Sequence, residues 1–242
     1  MTHSTKWFQR FFHKESVLAI KSSLDFLNFE SFKNDLVLLL PQESKNSRVR
    51  IANNIIKRFF PDKKLFGLLP QVYDVYKDEM LLQELIRYEF LSKEPVIANF
   101  YFEYIHSQKA DKEISTSKFS SYIEKIYGRK NENLTWWLQA ALRDLGFIQK
   151  SENIWIISTV KMPETALILL LHNILAQCPL SIDLSKIEDH NFWKLLGIKN
   201  INELKNILFK AHLYNIIEFK DNKIKTLYPL DVLINKKFRL ES

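Results

Sequence analysis

The chain has 242 residues, 46% hydrophobic and 26% charged, with a formal net charge of +7, which is globular composition at a length for one large domain or two to three small ones. Its four glycines, Gly67, Gly128, Gly146 and Gly197, lie far apart, which excludes the clustered glycines of a P-loop or a dinucleotide fingerprint. One cysteine, Cys178, cannot close an internal disulfide, so nothing marks an oxidising compartment.

Residues 1–14 hold Trp7, Phe8, Phe11 and Phe12, broken by Gln9 and Arg10. They lack the continuous apolar core and small-residue cleavage site of a signal peptide. Residues 13–27 place Val17, Leu18, Ile20, Leu24 and Leu27 at helical spacing. Helices follow over 30–40, stopped by Pro41, and over 44–60, stopped by Pro61. Residues 65–76 read as turn-like or a short helix. Residues 78–91 are amphipathic, with Leu81, Leu82, Leu85, Ile86 and Phe90 on one face, and Pro95 opens a helix over 96–106.

The second half carries a repeating order. Helices over 115–127 and 131–145 are closed by Gly128 and Gly146, where a helix C′ residue is expected. A β-hairpin follows, 147–150 and 154–157, around the turn Ser151-Glu152-Asn153. The order then recurs, with helices over 163–177, 191–196 (closed by Gly197) and 201–213, and a hairpin over 216–220 and 223–227 turning at Asp221-Asn222. Three helices and a two-stranded hairpin are the pattern of a winged helix, whose third helix enters a DNA major groove and whose hairpin forms the wing. The expected units lie at about 95–158 and 162–228. The expected fold is mainly α, with an N-terminal helical bundle followed by two winged-helix-like units. The domains are 1–92, 93–160 and 161–242.

Catalytic constellations are poor. No histidine pair has the i, i+4 spacing of a helical zinc site and no CxxC exists. His172 reads as a hydrogen-bonded core residue, Asp189-His190 as a helix cap, and Cys178 as a small residue at a helix end. The expectation is a non-enzyme with no cofactor and no metal. The most apolar run, 165–171, is interrupted by His172, Asn173 and Gln177, far short of the ~20 apolar residues of a spanning helix. A cytoplasmic protein without a membrane partner is expected.

The basic residues suggest where an acidic partner would bind. Residues 1–60 carry ten Lys/Arg against five Asp/Glu, and 161–242 carry twelve against nine, while 61–110 are slightly acidic. On the 44–60 helix, Arg50, Asn53, Asn54 and Lys57 form a stripe away from Ile51, Ala52, Ile55, Ile56 and Phe59, with Arg48 and Arg58 flanking it. Cations near that N-terminus work against the helix dipole unless an anion sits there. On 131–145, Thr135, Trp136, Gln139 and Arg143 are left facing out or sideways, with Arg129 and Lys130 in the turn before. On 201–213, Asn202, Lys205, Asn206 and Lys210 remain. At the second hairpin tip, Lys220 and Lys223 stand opposite each other.

The stretch 15–147 resembles BrxA proteins of BREX bacteriophage-defence systems. The resemblance lies in an opening amphipathic helix and in a helix with serine, arginine, asparagine, isoleucine and arginine in that order within 46–58. It continues in Tyr88-Glu89-Phe90-Leu91 leading to a helix, and in a region over 119–147 ending Leu145-Gly146-Phe147. It implies a small, helical, non-enzymatic protein with a DNA-binding or accessory role in phage restriction, and it carries over no catalytic motif. The expected partners are double-stranded DNA and other defence-system proteins; a homodimer is left open. A protein-interaction scaffold and a helical RNA-binding protein are the alternatives.

Overall fold

The structure, a computed structural model, describes residues 8–152, 154–175 and 181–240. Cys178 lies outside them, as does Asn153 of the first turn. Helices dominate. In chain order the elements are α1 (His13–Ser22), α2 (Phe29–Leu39), α3 (Lys45–Phe59), α4 (Leu68–Tyr76), α5 (Glu79–Lys93), α6 (Pro95–Tyr104), β1 (Glu113–Ile114), α7 (Thr116–Tyr127) and α8 (Glu132–Asp144). Then come β2 (Ile148–Ser151), β3 (Ile154–Ile157), α9 (Glu164–Leu175), β4 (Ser181–Asp183), α10 (Leu184–Asp189), α11 (Phe192–Leu195), α12 (Ile201–Leu213), β5 (Ile217–Lys220), β6 (Lys223–Thr226) and α13 (Leu230–Asn235).

Side chains set the helix ends. Asn28, Ser44, Asn131 and Asn200 each accept the backbone N–H three residues on, satisfying one orphan donor of α2, α3, α8 and α12. Gly128 closes α7 at φ +71°, a left-handed conformation that glycine adopts without strain. The first helix stops at Ser22 rather than continuing to residue 27. The Ser22 hydroxyl bonds back to the Ala19 carbonyl, and a 3-10 turn over Ser23–Asp25 follows.

The chain forms two compact units. One comprises Met1–Ser22, Asn28–Lys63 and Glu89–Lys161; the other comprises Ser23–Leu27, Lys64–Tyr88 and Met162–Ser242. Residues 1–92 are therefore shared between the two, while each repeat of helices and hairpin falls within one unit. The first core is aromatic: Phe100 stacks on Phe119 at 4.8 Å, Tyr101 meets Phe147 at 4.2 Å, and Phe32 meets Phe60 at 4.8 Å. The buried Tyr122 hydroxyl donates to the Val96 carbonyl at 2.7 Å. The second core is centred on α9, buried continuously from Ala166 to His172, the mark of a helix enclosed on every side. Arg87 donates to the Leu196 carbonyl and the Trp193 indole N–H to the Ile187 carbonyl, so these two buried donors are met.

Each unit holds one three-stranded antiparallel sheet, ordered β1-β3-β2 and β4-β6-β5. The outer strands β1 and β4 were not expected from the sequence. In the second hairpin Asp221 and Asn222 both have positive φ, 51° and 57°, which suits the right-handed strand twist. In the first, Ser151 pairs with Ile154, so Ser151 belongs to the strand and not to the turn.

From the cap of the helix before the hairpin onward, the two repeats match at an offset of 69 residues, and the outer strands at 68. Asn131 and Asn200 cap the helices, and Gly146 and Asn215 take positive φ after them. The Phe147 and Ile216 N–H groups donate to the Leu142 and Ala211 carbonyls. Pairs Ile148↔Ile157 and Ile217↔Thr226 open the hairpins. Ile114 and Ile182 occupy the same place opposite Trp155 and Ile224.

Candidate nucleic-acid interface

Helix α3 divides as its periodicity requires. Ile51, Ala52, Ile55 and Phe59 are buried, while Arg50, Asn53 and Lys57 are exposed together on the opposite side. Arg48 does not join them. Its Nη1 turns back to donate to the carbonyls of Gln42 (2.9 Å) and Glu43 (3.2 Å). A cation misplaced for the helix dipole thus finds acceptors in the preceding loop.

Arg58 is not a flanking surface cation but a buried one, its side chain 6% exposed. Its Nε and Nη2 donate to Glu94 Oε1 at 2.9 and 2.5 Å. Its remaining donors reach the carbonyls of Gln9 (3.0 Å) and Arg10 (3.1 Å), and its guanidinium lies 5.0 Å from the Phe90 ring centre. Lys93 Nζ donates to the Arg58 carbonyl. Burial raises the Glu94 carboxyl above its ordinary value, and the Arg58 charge pulls it back down.

That clamp fixes residues 8–13 beside α8. The Phe8 backbone bonds the Tyr127 hydroxyl, the Arg10 guanidinium sits 4.7 Å from the Trp136 ring centre, and His13 feels the Asp144 charge. An extended run of this length covers ~17 Å, close to the ~20 Å of the thirteen-residue helix α8. Phe8 and Phe11 are both buried, Phe11 against Phe90 at 4.2 Å.

Of the residues expected on the outer side of α8, Trp136 is half-exposed and Arg143 exposed. Gln139 is not outward: it is buried, and its Nε2 has no hydrogen-bond partner among the described residues. The buried arc of α8 is wide, running from Leu138 to Leu142, and takes the glutamine with it. Arg143 donates through Nε and Nη2 to Asp144 Oδ1 at 2.9 and 2.8 Å, so part of its charge is neutralised locally. Arg129 and Lys130 are exposed in the turn before α8.

In the second unit Lys205 lies 3.8 Å from Glu188, and Lys210 pairs with Glu164 at 2.7 Å. The outer side of α12 ends in apolar groups, with Phe209, Leu213 and Tyr214 all at least half exposed. At the hairpin tip Lys220 and Lys223 are exposed and directly opposed, and Glu218 meets Lys225 at 3.7 Å. Strand β4 alters the balance there, because it sets Asp183 opposite Lys223 on the other side. The tip is a lysine pair with a carboxylate in register, not two cations alone.

Among the described residues no group of three or more His, Cys, Asp or Glu is placed to hold a metal ion. No helix among the described residues is long and apolar enough to cross a membrane. Arg10 and Asp183 were missed by the sequence reading, which placed Arg58 on a surface flank. Only Arg10 carried a local signal, a cation flanked by the buried aromatics Phe8 and Phe11. Comparison with models of known families, with curated proteins and with solved structures finds no match to the chain.

Proposed function

We propose that this chain is a non-catalytic protein that binds double-stranded DNA through two winged-helix-like units, as an accessory component of a bacterial phage-defence system of the BREX type. The observation that carries the reading is the recurrence of helix, short strand, two or three helices and hairpin, with the outer strand pairing the hairpin's second strand in both units. In winged helices the helix before the hairpin and the hairpin itself meet the nucleic acid. Basic side chains stand at those places: Arg129, Lys130 and Arg143 around α8, Lys205 on α12, and Lys220 and Lys223 at the second tip. The exposed Arg50-Asn53-Lys57 stripe of α3 adds a phosphate-binding face. The defence-system part rests on the resemblance of residues 15–147.

A second reading is favoured at one place. The exposed Phe209, Leu213 and Tyr214 on α12 suit docking of a protein better than contact with phosphates. Under this reading the second unit binds a partner protein while the first binds DNA.

The test is duplex binding across a salt series, for the wild type and for Arg50→Ala/Lys57→Ala. Phosphate-driven binding weakens steeply with salt, and losing two contacts should flatten the log–log slope by up to ~2. Arg48, engaged on carbonyls, is left intact. A folded double variant with the wild-type slope excludes the α3 face. A wild type with no salt-dependent binding excludes the DNA reading and leaves docking of proteins.

A further inference from the structure

The outer side of α8 is not made by α8 alone. Residues 8–13 form a wall along it, and the wall is fixed. Phe8 and Phe11 are buried, and the carbonyls of Gln9 and Arg10 take the donors of the buried Arg58. Detaching the segment would expose two phenylalanines and strand a buried guanidinium–carboxylate pair. It is therefore part of the surface, not a cover that lifts away.

We propose that Arg10 is a nucleic-acid contact of the first unit, its guanidinium and the Trp136 indole together forming one cationic, stacked surface against the phosphate backbone of duplex DNA; this rests on the DNA-binding reading above. Arg10 is exposed, while its backbone is pinned on both sides. Its guanidinium is held 4.7 Å from the centre of a half-exposed indole. A guanidinium over a ring uses its face for the stack and keeps its in-plane N–H donors for phosphate oxygens. The stack also reduces the rotamer freedom that a long cationic side chain loses on binding. The alternatives on this face are weaker. Gln139 is buried and Arg143 is engaged by Asp144. Arg10 is thus a cation beside α8 that no reading of α8 alone would select.

The experiment measures fluorescence anisotropy of a short duplex across a salt series with the full chain carrying Arg10→Ala or Arg10→Lys, alongside thermal melting. Arg10→Ala should weaken binding roughly 5–10-fold at low salt, on any sequence, and flatten the log–log slope by about 1. Arg10→Lys should keep the slope with affinity between the two, since an ammonium retains the charge but not the planar fork. If wild type binds with a steep salt slope and Arg10→Ala binds identically, the Arg10 proposal is overturned and the DNA reading stands. An affinity loss with an unchanged slope in both variants also overturns it, because Arg10 would then only brace Trp136. If the wild type shows no salt-dependent binding, the DNA reading falls and this proposal with it.

Discussion

Replacing Arg58 by Met should destabilise the first unit by about 4 kcal/mol, in the range of roughly 3–5 for breaking a buried pair from one side. The magnitude follows from what is left behind. Glu94, its side chain 14% exposed, would keep a buried charge without its guanidinium partner. The Gln9 and Arg10 carbonyls would lose their donors as well. Those residues are exposed, so water can replace the donors and the added cost is small, on the order of 1 kcal/mol at most. Arg58→Met/Glu94→Leu leaves no isolated charge, and should cost less than the sum of the two single changes by at least ~2 kcal/mol. Urea denaturation followed by helical circular dichroism measures all three variants, with midpoint shifts read at a shared slope. Costs that add to within ~0.5 kcal/mol would refute the reasoning, since contacting residues are expected to couple and independent ones to add.

Two further changes probe the cores. His172 is buried in α9, its Nδ1 donating to the Ile168 carbonyl at 2.8 Å and its Nε2 unpartnered among the described residues, and burial lowers its pKa from the ordinary value of 6.5. The unfolded state then binds the extra proton, so stability should hold above about pH 6.5 and fall below it by up to ~1.4 kcal/mol per unit until the folded-state value is reached; melting of wild type and His172→Leu at about pH 7.5 and 5.5 should show a smaller acid loss in the variant. Gln139→Leu should stabilise by roughly 1 kcal/mol, because it removes a buried amide donor with no partner among the described residues, and a lowered melting temperature would show that Nε2 is satisfied in solution.

The helices were legible because their apolar residues recur at 3.6-residue spacing and their ends carry Asn, Ser, Pro or Gly. The register of the second hairpin followed from Asp221-Asn222 alone, and the observed pairs Lys220↔Lys223 and Phe219↔Ile224 are those expected. Strands β1 and β4 were invisible because two or three residues cannot display an alternation, and they are strands only by pairing with β3 and β6. Helices α10 and α13, six residues each, are too short for a periodic signal. At the candidate site, the α3 stripe could be read from spacing. The burial of Arg58 could not, because its carboxylate partner lies thirty-six residues away. Gln139 was misplaced because helical periodicity gives the direction of a buried face but not its width. The crossings of the chain between the two units leave no compositional trace.

The offset of 69 residues separates what each unit needs to fold from what it presents. Positions that shape the backbone keep their chemistry. Asparagine caps both helices, a residue tolerant of positive φ follows each, and isoleucine opens both hairpins. Even the polar Gln139 sits in the buried place that Leu208 fills in the second unit. The outward positions diverge in kind, with Trp136 matched by Lys205 and Arg143 by His212, and the buried Ala140 is matched by the exposed Phe209. In the first unit the face gains Arg10 from a segment clamped by Arg58, whereas the second ends in exposed Phe209, Leu213 and Tyr214. A backbone repeated in register with its outer chemistry changed suits two units put to different partners. A cationic aromatic surface suits phosphate, and an apolar helix end suits protein. On the proposed reading, the polyanion is therefore assigned to the first unit and the partner protein to the second, each by the chemistry of its own surface.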